Sequence, residues 1–212
     1  MWDAINTWEV NSVIWIQRNL SSSFLDGFWT FITRFAEHWA IIPIMLLIFA
    51  IIGLRHSLKF GFVIGSAGFF SWLIKLATNR PRPHLASEEV ELLYPPISSS
   101  FTSGHTAIGC AIAICLCVFI WKFKTNKFFR IVLCASAVSL FGLGVGFSRI
   151  YLGVHYPSDV IASFITAVPF YFLSVWLFEK IAGLKLFATL QLPSKIKHGL
   201  FRRVANDHNE IT

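Results

Sequence analysis

Residues 160–178 read VIASFITAVPFYFLSVWLF, an apolar run without a charged side chain. At about 1.5 Å per residue, a helix over this run falls just short of a hydrocarbon core about 30 Å thick. Four similar runs precede it: Trp39–Leu54, Phe60–Thr78, Thr106–Trp121 and Ile131–Phe147. The five are 16 to 19 residues long, and flanking residues extend each to about 20, enough to cross a bilayer. The expected fold is an all-α integral membrane protein, a bundle of five transmembrane helices. A sixth is needed only if the N-terminal segment also crosses.

Composition agrees. Hydrophobic residues make up 55% of the 212 and charged residues 14%, with a mean hydropathy of +0.64. Soluble domains carry about 25% charge, so this chain lacks the polar skin of a soluble globule and is too apolar for disorder. The formal net charge of +7, from 18 Lys and Arg against 11 Asp and Glu, points to an anionic membrane rather than to nucleic acid. Cys110, Cys115, Cys117 and Cys134 lie inside apolar runs without C-x-x-C spacing, and read as small buried hydrophobes.

Three regions follow from the pattern. Residues 1–36 hold Trp2, Trp8, Trp15 and Trp29 among Asp3, Glu9, Arg18 and Asp26. Ile5, Trp8, Ser12, Trp15, Ile16 and Asn19 recur at helical spacing. Tryptophan favours the membrane–water interface, so one or two interfacial amphipathic helices are expected, broken at Ser21–Ser23. The first twenty residues lack the continuous apolar stretch of a removable signal peptide. Residues 37–179 form the transmembrane core, and 180–212 a basic tail on the membrane surface, fraying from Asn206. Within the core, Gly61 and Gly65 form G-x-x-x-G, and Gly142, Gly144 and Gly146 form G-x-G-x-G. Both sets sit in apolar runs and read as close helix–helix packing rather than as a nucleotide loop.

The basic links give an orientation. Arg55 and Lys59 lie in the first link, and Lys122, Lys124, Lys127 and Arg130 in the third. Lys180, Lys185, Lys195, Lys197, Arg202 and Arg203 lie in the tail. With five spans, these twelve cations share one side, which the positive-inside rule makes cytoplasmic. The N-terminal helices and the second and fourth links then face outward, in a cell (inner or plasma) membrane.

The two outward links hold the polar residues that the rest of the chain lacks. The second span ends in Lys75-Leu-Ala-Thr-Asn-Arg80-Pro-Arg82-Pro83. The second link closes on Ser100-Phe-Thr-Ser103-Gly104-His105 and runs into the third span. The fourth link reads Ser148-Arg149-Ile-Tyr-Leu-Gly-Val-His155-Tyr-Pro-Ser-Asp159. Each residue alone has an ordinary reading. Lys75 can snorkel, Arg80 and Arg82 can be an interfacial pair, and Ser103 (or Thr102) can cap a helix. Arg149 can pair with Asp159 as structural glue.

Together they make a phosphoryl site. Arg82 and Arg149 suit bidentate contacts to phosphoryl oxygens, and Lys75 supplies a point charge. Pro81 and Pro83 fix the backbone around Arg82. Ser103, Gly104 and His105 stand at a helix start, where backbone N–H groups and the helix dipole favour an anion. Asp159, four residues after His155, accepts from one ring nitrogen and leaves the other to attack phosphorus. His105 is placed to protonate the leaving oxygen and then to activate water. Asp159 is the lone acid of this constellation, so cations stand where other phosphoryl-transfer sites hold metal. Glu88, Glu89 and Glu91 are a weaker metal-site alternative. No cofactor and no metal are expected.

These three blocks resemble the signature of the type 2 phosphatidic acid phosphatase family, which shares its site with vanadium haloperoxidases and bacterial acid phosphatases. The family pattern is K-x6-R-P, then P-S-G-H, then S-R-x5-H-x3-D. Lys75, Arg82 and Pro83 match the first block; Ser103, Gly104 and His105 match the second; Ser148, Arg149, His155 and Asp159 match the third. Thr102 stands where the family usually has proline. The motifs cover residues 75–159, and the span pattern extends the likeness over roughly 38–178.

The resemblance implies metal-independent hydrolysis of lipid phosphates or diphosphates. His155 would be the nucleophile, His105 the acid and base, and Asp159 the orienting group. Lys75, Arg82, Ser103, Gly104 and Arg149 would bind phosphate, with Arg80 close behind them. The implied substrates are undecaprenyl diphosphate, phosphatidylglycerol phosphate, phosphatidate or lipid A phosphates, and an outward site leans to the first. The partners are the lipid phosphate and surrounding membrane lipids, with no nucleic acid; the oligomeric state is not encoded in any motif. A lipid phosphotransferase with the same phosphohistidine, and a non-catalytic lipid carrier, are the rival readings.

Overall fold

A computed structural model describes residues 2–96, 98–122 and 124–183, and no strand occurs among them. The basic tail expected over 180–212 lies outside the described residues from residue 184 onward. The chain divides into two units, residues 1–174 and 175–212. Everything that builds the site belongs to the first. The described part of the second continues the last helix to Ala182.

Two helices open the chain, α1 (Trp2–Leu20) and α2 (Ser23–Arg34), with the break at Ser21–Ser22. Ser22 caps α2 by accepting the Leu25 N–H at 3.2 Å. After them come α3 (His38–Ile52), α4 (Leu54–Thr78) and the single turn α5 (Pro83–Ala86). Gly53, at φ +90°, makes the corner between α3 and α4. Asn79 ends α4 in the left-handed region, and its N–H returns to the Lys75 carbonyl. Pro81 and Pro83 then keep the helix from resuming.

A long link leads to α6 (Gly104–Ile120), capped by Ser103. Then α7 (Lys127–Ala137), capped by Asn126, passes through a π-helical segment, Val138–Gly144, into α8 (Val145–Tyr151). The final helix, α9, runs from Pro157 to Ala182. The five apolar runs are almost wholly helical, the first broken at Gly53 and the fourth spread over α7, the π-helical segment and α8. Among the described residues, three helical stretches are long and apolar enough to cross a membrane: residues 54–86, 127–151 and 157–182. A fourth crossing arises if α2 and Trp39–Ile51, bent by 50°, count as one. The 17-residue α6 is apolar but shorter.

Packing centres on α6, which lies against α4, α7, the π-helical segment and α8. Gly109 permits this. A Cβ there would sit 2.1 Å from the Phe141 carbonyl oxygen in the π-helical segment. Gly146 packs closely too, though less so: a Cβ there would lie 3.0 Å from the Val160 side chain and 3.3 Å from Phe164 of α9. Gly65 departs from its expected packing role: it is exposed, and a Cβ there would meet nothing within 4 Å.

The surface of these helices is apolar. Ile42, Leu46, Leu47 and Phe49 on α3, Phe69 and Leu76 on α4, and Ile165 and Phe172 on α9 are all exposed. So large an exposed apolar area marks a lipid-facing surface. Buried polar groups, by contrast, collect where Lys75, Arg82, Ser103, Arg149, His155 and Asp159 lie.

The N-terminal helices pack onto that polar region. Val13 and Ile14 of α1 bury against Val90, and Ile32 and Ala36 against Val145. Full burial of a side chain such as Val13 contributes roughly 1.5–3 kcal/mol. The outer face of α1 carries Trp8 and Trp15, about three-fifths exposed, whereas Glu9, Val13 and Gln17 form its buried stripe.

Candidate active site

The last turn of α4, the link 79–103, the start of α6, the end of α8 and the start of α9 meet at one place. Carbonyls of the link hold the cations there. Lys75 Nζ donates to the Ser99 and Ser100 oxygens at 2.6 and 3.0 Å. Arg82 donates from Nε to Ser98 O at 2.6 Å and from Nη1 to Val154 O at 2.6 Å. An ammonium has three donors, so Lys75 keeps one for another acceptor.

His155 is 2% exposed. Its Nδ1 lies 3.3 Å from Asp159 Oδ2 and 3.5 Å from Ser100 Oγ. On the far side of the ring, Nε2 lies 3.4 Å from Arg82 Nη1. Burial pushes the imidazole down to about 3; Asp159 opposes this, while Arg149 and Lys75 add to it. His155 is therefore neutral at pH 7. With Nδ1–H donated to Asp159, the Nε2 lone pair faces Arg82.

Asp159 is fully buried and well satisfied. Its Oδ2 accepts from Ser100 Oγ at 2.5 Å and the Tyr156 N–H at 3.0 Å. Its Oδ1 accepts from Arg80 Nη1 at 2.7 Å. The carboxylate is thus paired with Arg80, not with Arg149 as the sequence allows. Arg80 stands immediately behind the motif residues, and its guanidinium also lies over the Tyr156 ring. Arg149 instead donates from Nη1 to Thr33 Oγ1 at 2.8 Å and packs over the Tyr94 ring, 4.7 Å from its centroid. Thr33 belongs to α2, so an N-terminal helix orients a site arginine. Tyr94 donates its hydroxyl to Glu37 and meets the His105 ring edge-to-face at 6.1 Å.

The start of α6 completes the cluster. Ser103 Oγ accepts from the Thr106 hydroxyl at 2.8 Å and the Thr106 N–H at 3.4 Å. It acts as a cap, and its own N–H points to Asp159 O at 3.4 Å. At Gly104 a Cβ would meet only Ser71 Oγ at 3.6 Å, so nothing in the protein itself demands glycine there. His105 lies within charge–charge range of Arg149, His155, Lys75 and Arg82. Its Nε2 and the Arg149 Nε are buried without a protein partner. Unpartnered donors or acceptors are costly, and these two belong to residues expected to face a phosphoryl group. Thr102 is buried, and its hydroxyl pairs with Ser71 Oγ of α4 at 3.0 Å. Ser148 turns away from the cluster, donating to the Val145 carbonyl of its own helix.

The structure thus brings Lys75, Arg82, Ser103, Gly104, His105, Arg149, His155 and Asp159 into one neighbourhood. The sequence reading did not find Ser100, Thr33, Tyr94 or Glu9. Ser100 had a signal, in its place within a serine run five residues before His105. The others are read only from packing. Glu89 pairs with Arg18 at 2.8 Å, and among the described residues no group of three His, Cys, Asp or Glu is placed to hold a metal ion.

Comparison with known proteins agrees with the motifs. The PAP2 superfamily model matches residues 56–182. Undecaprenyl-diphosphatase BcrC of Bacillus subtilis is 32% identical over 154 residues, covering 72% of this chain and 74% of that protein. The crystal structure of Aquifex aeolicus LpxE superposes with a TM-score of 0.63 at 24% identity, over 79% of this chain and 94% of that one. The first transmembrane PAP2 type phosphatidylglycerolphosphate phosphatase from Bacillus subtilis superposes at 0.68 and 21% identity, over 86% and 88%. These last two speak to the fold; the family match and the identity to a curated relative carry the assignment. The chain belongs to the PAP2 superfamily, among its membrane lipid phosphatases.

Proposed function

We propose that this enzyme removes phosphate from a lipid diphosphate, with undecaprenyl diphosphate as the preferred substrate, through a phosphohistidine on His155. The observation that carries the mechanism is the neutral, buried His155, held through Nδ1 by Asp159 with Nε2 turned toward Arg82. Nε2 attacks the terminal phosphorus in line with the bridging oxygen. The N–P bond forms as the P–O bond to the lipid phosphate breaks, and His105 supplies a proton to the leaving oxygen. His105 then takes a proton from water, whose oxygen attacks phosphorus. The N–P bond breaks, inorganic phosphate leaves, and His155 is regenerated.

Charge stabilisation comes from Lys75, Arg82, Arg149 and the N-terminal amides of α6, which surround the equatorial oxygens. The substrate choice is supported by the curated relative, named for undecaprenyl diphosphate, and by the membrane setting, which favours an amphiphile. We place the site on the outer face with the C-terminus cytoplasmic, on a reading of five spans, which would gather the basic links and tail on the opposite side. A reporter fused after residue 125 should read as cytoplasmic; an external signal would overturn this orientation.

The deciding experiment measures phosphate release in detergent, with EDTA present. Undecaprenyl diphosphate, phosphatidylglycerol phosphate and phosphatidate are compared, for the parent and for His155→Ala. The expected result is release from undecaprenyl diphosphate by the parent and a loss of at least about 10³-fold in the variant. Equal rates would sink the phosphohistidine. Phosphate passed to an added lipid acceptor, with none released to water, would instead support a phosphotransferase.

A further inference from the structure

We propose that Glu9, on the N-terminal helix α1, is a positioning residue for the reaction, acting through Arg80 on the Asp159–His155 pair. The inference rests on the His155 mechanism above.

Glu9 is completely buried. A buried carboxylate is expensive unless both oxygens are satisfied, and both are. Oε2 binds Arg80 Nη2 at 2.5 Å, and Oε1 accepts the Ser158 N–H at 3.0 Å. Arg80 turns its other terminal nitrogen to Asp159 Oδ1 at 2.7 Å and Ser158 Oγ at 2.8 Å. Asp159 in turn holds His155 Nδ1 through Oδ2. The result is an unbroken charge-assisted chain: Glu9, Arg80, Asp159, His155.

Two effects follow. Glu9 ties down a first-turn N–H of α9, the helix that carries Asp159, so α1 fixes the carboxylate's position. It also shares the Arg80 charge. A guanidinium bound by two carboxylates draws less on each, leaving Asp159 Oδ2 a stronger acceptor for the His155 proton. That proton bears more positive charge once Nε2 is bonded to phosphorus, so the effect belongs to the transition state rather than to substrate binding. Glu9 lies outside residues 56–182, which match the family model.

The test compares Glu9→Gln, Arg80→Lys, the double variant and His155→Ala on undecaprenyl diphosphate, with thermal unfolding followed in parallel. Gln keeps the Ser158 acceptor but removes the charge and the oxygen that accepts from Arg80 Nη2. The expected result is a 10- to 100-fold fall in kcat for Glu9→Gln with KM within twofold of the parent. The double variant should be no slower than the slower single one, since the two residues act as a unit. Parental kcat in Glu9→Gln overturns the inference. So does a fall in kcat that only follows the folded fraction, or losses that multiply in the double variant. An active His155→Ala would overturn the underlying mechanism, whereas an inactive one beside a fully active Glu9→Gln would overturn only the role of Glu9.

Discussion

Among single residues, Ser100 and Gly104 separate positioning from binding. Ser100 supplies one of three donors to Asp159 Oδ2, beside the Tyr156 N–H and His155 Nδ1, and also approaches His155 Nδ1. Ser100→Ala removes a charge-assisted hydrogen bond in a buried place. It is expected to lower kcat about tenfold, equivalent to about 1.4 kcal/mol, with KM nearly unchanged; steady-state kinetics check this. Gly104 behaves oppositely. The protein leaves room for a Cβ there, so Gly104→Ala should unfold at the parental temperature. The added methyl would meet the bound phosphoryl group, and KM should rise several-fold. Normal KM would mean that the substrate does not approach the α6 terminus.

At the level of elements, the approach of α6 to the π-helical segment is the most exacting contact. A methyl on Gly109 would lie 2.1 Å from a backbone oxygen, which no rotamer change relieves. Gly109→Ala should destabilise by about 1–3 kcal/mol or more and carry His105 out of place, even though alanine is the better helix former. Gly65→Ala makes the contrasting case. Its site is open, so the substitution should be neutral or stabilising by about 0.5–1 kcal/mol. Thermal unfolding of both variants in detergent tests the opposite signs. The same scale explains α1. Trp8 and Trp15 recur at helical spacing and read as the apolar face of an interfacial helix, and both are exposed. The stripe that docks on the protein is Glu9, Val13 and Gln17, and Gln17 clasps both the backbone of Glu91 and the Tyr151 carbonyl.

For the molecule as a whole, burying the proposed catalytic cluster couples stability to pH. Burial holds His155 well below its ordinary value of 6.5, near 3. The unfolded chain therefore binds a proton at this residue across that interval while the folded chain does not. Its contribution is complete above about pH 6.5 and is lost as pH falls toward 3. The melting temperature should fall across this window, and less steeply in His155→Asn. Equal slopes would show that His155 is not held neutral by burial. The exposed apolar helices and the buried polar cluster also divide the molecule's two environments: lipid around the helices, and a shielded cationic region where the proposed phosphoryl site lies.

The sequence by itself determined the membrane class, the all-helical fold and the motifs that mark the family. Those properties reside in local composition and in short spacings: an uncharged run long enough to cross lipid, His155 four residues before Asp159, and Ser103 capping the helix that begins with Gly104. Tertiary structure decided the pairings. Asp159 has Arg80 rather than Arg149 as its counter-ion because the turn after α4 delivers Arg80 to the start of α9. Arg149 is drawn instead to Thr33 and Tyr94 by α2 and the long link. The place of Glu9, 71 residues from Arg80 in the chain, follows from the docking of α1. No spacing rule encodes that, because the partners meet only when separate helices pack.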